Sequence, residues 1–229
     1  RSSPVQIQAG VATWEDGGYK LKVGDLASVY SDGETLTGAD GPRDNDQYVS
    51  NTGFYIRKFI SEASGYTLRN YAENWWPWFR LGEIYLNAAE AAFELNDEPT
   101  ALPYINRLRQ RAGFPANSLT SLTIEKIQNE RRVELAFEDH RYFDMKRWRI
   151  ADITWNGNID NDKAIVYGLY PYRIAVAKPG TQDQDKYIFV KTRSERFKVA
   201  RTFQQSNYYS FIADDVINNN PTIVKNPFQ

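Results

Sequence analysis

The chain has 229 residues, a formal net charge of −1 and 14% aromatic side chains, a size that can bury a substantial core in one large domain or two small ones. The even charge balance lacks the basic excess of a nucleic-acid binder. With no cysteine and a single histidine, His140, disulfides, thiol catalysis, cysteine metal centres and multi-histidine zinc or iron sites are excluded.

The absence of cysteine suits an oxidising compartment. No run approaches the ~18 consecutive apolar residues of a spanning helix. The opening "RSSPVQ" carries neither an initiator Met nor a signal segment, so the chain reads as a piece of something longer.

Residues 1–75 read as a loop-rich segment. "EDGG", "SDGE" and "TGADGPRDND" are clusters of turn formers. Short β-like pieces lie between them, "YKLKV" at 19–23 and "FYIRKFI" at 54–60. Residues 76–151 read as a helical core. In "WFRLGEIYLNAAEAAFELN", at 78–96, apolar residues cover more than half of a helical circle, and Arg80, Glu83, Asn87, Glu90 and Glu94 fill the narrow remainder. Such a helix packs on several sides, and its four alanines permit close approach. "NDEP" then offers a cap and places Pro99 in a first turn. A second helix follows over 100–113 and stops at Gly113 and Pro115. A third, over 122–138, has Thr123 as its N-cap, and a fourth covers 140–151. Residues 152–229 return to loops, with turn and extended signals in "NGNIDND", "YGLYPYRI", "KPGTQDQD" and "NNNPTIVKNP". The expected fold class is mainly α: tetratricopeptide-like helix pairs in a single domain, with long irregular loops and a few short strands.

"WFRLGEIY" fits the start of a tetratricopeptide repeat, but no second copy keeps the register. One repeat cannot cover its own faces, so further helices are expected upstream in the intact protein.

The stretch 129–148, "NERRVELAFEDHRYFDMKRW", is at once charged and rich in apolar groups. On the third helix Ile124, Ile127, Arg131, Glu134, Leu135 and Glu138 share a face, while Val133 and Phe137 lie opposite. The helix is therefore expected to be sandwiched, with some charges between packed elements. Buried charges must be paired. Spacing offers Arg131 to Glu134 and Glu138 to Arg141. Glu83 and Glu90 of the first helix offer further carboxylates to Arg131 or Arg132. The expectation is a structural Arg/Glu network, not a catalytic one, because such pairing lowers carboxyl pKa values.

Several ordered motifs resemble the SusD/RagB family: "WPWFRLGEIYLNAAEAAFEL", "ALPYINRLRQRAG", "IQNERRVELAFEDHRYFDMKRW", "TGFYIRKFI" and the tail "INNNPTIVKNP". The resemblance spans residues 48–229. It departs at the last turn, where that family has Asn-Pro-Gly and this chain has Asn226-Pro227-Phe228. The resemblance implies a C-terminal portion of a Bacteroidetes outer-membrane surface lipoprotein. It implies capture of glycans or other nutrients, delivery to a SusC-like TonB-dependent transporter, and no catalytic activity. It also implies a lipid anchor on an N-terminal half outside this chain.

Those motifs are scaffold, so binding residues are sought among loop aromatics, whose faces stack on sugar rings. Trp14 with Tyr19, in "ATWEDGGY", is the first choice, and Trp155, in "TWNGNIDND", the second. Trp75 and Trp76 read as packing residues. "DGPRDNDQY" at 40–48 and "NIDNDK" at 158–163 cluster oxygens as calcium loops do, but lack EF-hand spacing and read as solvated turns. His140 has no nucleophile motif to serve. No metal, cofactor or catalytic residue is expected. Two other functions remain open from the residues alone, a peptide-binding tetratricopeptide adaptor and a carbohydrate-active enzyme with paired carboxylates.

Overall fold

A computed structural model describes residues 3–24, 36–38, 41, 50, 52–61, 74–194, 197, 199–220 and 222–228. The chain forms two compact units, one from Arg1–Arg57 with Ala151–Gln229 and one from Lys58–Ile150. The described residues hold six helices and a four-stranded sheet, so the architecture is mixed α/β where the sequence suggested mainly α.

The first unit is built on the sheet, in the order β2-β1-β3-β4. Strand β1 (Gly10–Glu15) and β2 (Gly18–Val23) form an antiparallel hairpin, β1 runs parallel to β3 (Tyr167–Val176), and β3 pairs antiparallel with β4 (Tyr187–Arg193). The hairpin turn is Asp16-Gly17, with φ of 50° and 84°. Two successive positive φ values make the turn whose twist matches the flanking strands, and Gly17 takes its value without a Cβ penalty. Tyr170, Tyr172 and Ile174 of β3 pack with Ala9 and Ala12 in the core of this unit. Helix α5 (Ala151–Thr154), a 3-10 turn at Gln205–Tyr208 and α6 (Asp214–Asn219) are its other regular elements among the described residues.

"YGLYPYRI" reads as loop because Gly168 and Pro171 interrupt it, yet all of it lies in β3. The proline is accommodated because the β1 ladder begins only at Tyr172, while the carbonyl of Pro171 accepts the N–H of Ala9 at 2.8 Å. "FYIRKFI", expected as a strand, forms bends and turns. There Thr52 accepts the amide of Leu169, and a Cβ on Gly53 (φ 93°) would lie 1.9 Å from the Leu169 carbonyl oxygen.

The second unit holds α1 (Leu81–Glu94), α2 (Glu98–Arg111), α3 (Ile124–Glu134) and α4 (His140–Arg147). Asp97 caps α2 by accepting the Thr100 amide, with Pro99 in the first turn, and Thr123 caps α3 by accepting the Lys126 amide. Leu86 and Ala89 of α1 pack with Ala101, Ile105 and Leu108 of α2, Ile127 of α3 and Leu135. The third helix ends earlier than the apolar periodicity implied. Phe137 and Asp139 both adopt positive φ, 64° and 61°, and turn the chain into α4. The far side of α3 is not sandwiched within the described residues, since Val133 and Phe137 are exposed. Trp76 does pack, stacking on Phe59 with ring centroids 4.8 Å apart, whereas Trp75 is 93% exposed.

Candidate functional site

The hairpin of the first unit brings Trp14 and Tyr19 together. They are directly opposed in the β1–β2 register, next to the Asp16-Gly17 turn. Their rings meet edge to face, centroids 5.1 Å apart and planes at 77°, the arrangement aromatic quadrupoles favour. The Lys178 ammonium lies 5.3 Å from the centre of the Trp14 ring, and the Lys178 amide donates to the Tyr19 hydroxyl at 3.4 Å. Lys20 holds the turn side chains, 3.0 Å from Glu15 and 2.9 Å from Asp16. Tyr19 also leans on the sheet core. The result is a half-buried indole on a tight hairpin, edged by a phenol and an ammonium. An aromatic face with hydrogen-bonding groups at its rim suits a ring that is apolar on its faces and polar at its edge.

Trp155 belongs to a different group. It packs at 6.5 Å from Phe203, carries the Arg201 guanidinium 5.3 Å from its ring centre, and its carbonyl accepts the Phe203 amide. In the neighbouring 158–163 loop the amide oxygens serve the backbone. Asn158 accepts the Asp160 amide and Asn161 the Lys163 amide, while Asp162 takes the Tyr167 hydroxyl and Lys191. Of the other oxygen-rich stretch, 40–48, all but Gly41 lies outside the described residues.

The charged stretch in the helical unit resolves into clusters whose partners come from other elements. Arg131 donates Nε to Asp144 at 2.7 Å and Nη1 to Asn87 at 2.7 Å, with Glu83 at 3.8 Å. His140 stands 3.8 Å from the same Glu83. Glu134 and Glu138 share Arg80, at 2.6 and 2.7 Å. Glu134 also takes Arg111 at 2.7 Å, and Glu138 takes Lys58. Arg80 and Lys58 further donate to the carbonyls of Glu134 and Ala136, at 2.7 and 2.8 Å, so two cations close the C-terminal end of α3. Glu90 is gripped by both arms of Arg147, at 2.5 and 2.9 Å, and by the Trp148 indole N–H at 2.7 Å. Arg132 is exposed and donates to Asn129, and Arg141 is half-buried in the first turn of α4. Sequence spacing did not reveal Lys58, Arg80, Asp144 and Arg147, because it reports which residues share a helix face and not what lies across from it.

These contacts set the acidity of the carboxyls. Burial pushes Glu90 up, but Arg147 and Trp148 outweigh it and hold the carboxyl below its ordinary range. Burial likewise opposes Glu138, and Arg80 with Lys58 overcomes it. Both are ionised clamps, a poor state for a general acid. No helix among the described residues is long and apolar enough to cross a membrane.

The sequence model of the SusD family, also written SusD/RagB, matches residues 8–228. The chain belongs to the SusD family. Among its SusD relatives, SusD-like protein P25 of Formosa agariphila is 43% identical over 79 residues, 31% of this chain and 15% of the relative. SusD-like protein P2 of the same species is 33% identical over 117 residues, 45% of this chain and 23% of the relative. The crystal structure of a SusD-like protein from Bacteroides fragilis superposes with a TM-score of 0.53 at 25% identity, covering 97% of this chain and 37% of that one. The chain thus spans little more than a third of that solved relative. The last turn, Asn226-Pro227-Phe228, has an unusual conformation. Phe228 adopts φ of 67°, a value glycine reaches freely, and its ring rests 6.2 Å from that of Tyr209.

Proposed function

We propose that this chain is the C-terminal SusD-like domain of a surface lipoprotein that captures a nutrient, most simply a glycan, and hands it to a SusC-like TonB-dependent transporter in the outer membrane. Family membership over residues 8–228 is the observation that carries this reading. The whole protein would be held at the membrane through an N-terminal lipid anchor. The helical unit, with paired helices in a tetratricopeptide-like manner, would act as scaffold. Trp14 and Tyr19 would supply the stacking surface, with Lys178 within reach of sugar hydroxyls or carboxylates. Trp155 would act in packing against Arg201 and Phe203. The domain would bind without cutting, in keeping with the commitment of Glu90, Glu134 and Glu138 of the helical unit to guanidinium and ammonium partners.

Incubation of the whole protein with a panel of polysaccharides tests this. Retention on one of them in affinity electrophoresis, without release of reducing ends, is the expected result. Product release would move the protein to the carbohydrate-active enzymes, and retention on none of them would remove the glycan reading.

A further inference from the structure

Helix α2 carries three arginines in its second half, and two of them are committed inside the helical unit. Arg109 pairs with Glu130 and donates to Ser118 at 2.8 Å, and Arg111 reaches Glu134 at 2.7 Å. Arg107 has a different setting. Its guanidinium lies 5.4 Å from the centre of the Tyr85 ring, and among the described residues it meets no carboxylate and donates no hydrogen bond. It stands on the wall of a cleft of about 350 Å³. That wall is one face of α2, formed by Pro103, Asn106, Arg107 and Gln110. Ala116 and Asn117, from the loop after the helix, form the other. The loop is pinned to the helix. Asn106, only 6% exposed, donates to the Leu119 carbonyl and accepts the Leu119 amide, both at 2.9 Å. The bond from Arg109 to Ser118 holds the same loop a second time. Small-molecule sites run from roughly 300 to 1,000 Å³, and walls tied in advance cost little further ordering on binding.

The lining selects the ligand. No acidic side chain lines the cleft. A guanidinium stacked on a ring keeps its N–H groups in its own plane, available for a bidentate grip on a carboxylate. The side-chain amides of Gln110 and Asn117 each offer donors and an acceptor, which is what hydroxyl groups require, and no other described residue takes them. No aromatic side chain lines the cleft, so a neutral sugar has no ring face there to stack on. We infer that this cleft is a second binding site, for an acidic sugar residue such as a uronate. Arg107 takes the carboxylate, and Gln110 and Asn117 take hydroxyls. That the carboxylate belongs to a sugar rests on the glycan capture proposed above. The residues of the cleft and the Trp14–Tyr19 pair belong to different units of the chain.

The test is titration of the whole protein with galacturonate, galactose and acetate, followed by saturation-transfer NMR. Galacturonate should bind at least tenfold more tightly than either of the others. Arg107→Gln should weaken galacturonate at least tenfold, and its melting temperature should stay near the parent's because Arg107 is exposed. Asn117→Asp, which sets a like charge on the opposite wall, should weaken it as well. Galacturonate held equally tightly by the parent and by folded Arg107→Gln would overturn the inference. Acetate bound as tightly as galacturonate would overturn the sugar assignment. A protein that retains a neutral polysaccharide but ignores galacturonate would overturn the inference and leave the glycan capture standing.

Discussion

Arg131 of α3 and Asp144 of α4 meet at 2.7 Å with each side chain only 6% exposed. This pair, with Asn87 on the second arm of the guanidinium, ties three helices at one point. Removing one member of a buried ion pair leaves the other charge without compensation and costs about 3–5 kcal/mol. Arg131→Ala is therefore expected to lower the melting temperature by roughly 10 °C for a chain of this size. Arg132→Ala, which loses only an exposed contact to Asn129, should stay within about 0.5 kcal/mol of the parent. Thermal melts by circular dichroism on the two variants check both numbers.

Acid should loosen the helical unit through Glu90 and Glu138. Both carboxyls titrate below their ordinary value of 4.5 in the folded chain. A depressed folded pKa contributes stability that is fully present above the unfolded value and disappears as pH falls through the folded one. Stability should accordingly hold from neutral pH to about pH 5 and decline below about pH 4.5. Urea midpoints at pH 7, 5 and 3 measure it. Glu90→Gln should flatten the decline, because the group facing Arg147, Arg131 and Trp148 no longer titrates.

Gly53→Ala tests the seat of the first unit's connecting segment. The glycine has φ of 93°, and an added methyl would meet the carbonyl oxygen of Leu169 at 1.9 Å. Backbone strain and clash together should cost at least about 1–3 kcal/mol. The expected readout is a lower unfolding midpoint, with amide exchange at Leu169 accelerated because its partner, the Thr52 carbonyl, moves away. An unchanged midpoint would show that the segment does not sit against β3.

The helices were legible because their signals are local. Asp97 and Thr123 announce two starts, and the apolar face of α1 shows in its own spacing. "EDGG" likewise marks the hairpin turn, and its tight geometry is what opposes Trp14 to Tyr19. The sheet was not legible for the opposite reason. The β1–β3 ladder joins residues such as Gly10 and Tyr172, and no local pattern records so distant a pairing. Gly168 and Pro171 also disguised β3 as a loop. The ion pairs fall between these cases. Periodicity placed Arg131, Glu134 and Glu138 on an inward face, but their partners Asp144, Arg80 and Lys58 are set by tertiary packing.

The measurement that bears most directly on the proposed function is the affinity of the whole protein for its retained glycan, by isothermal titration, before and after Trp14→Ala. Loss of the indole from the hairpin platform should weaken binding about tenfold, near 1.4 kcal/mol, with the melting temperature of Trp155→Ala reduced but its affinity kept. An affinity unchanged by Trp14→Ala would contradict the account and place capture elsewhere on the molecule.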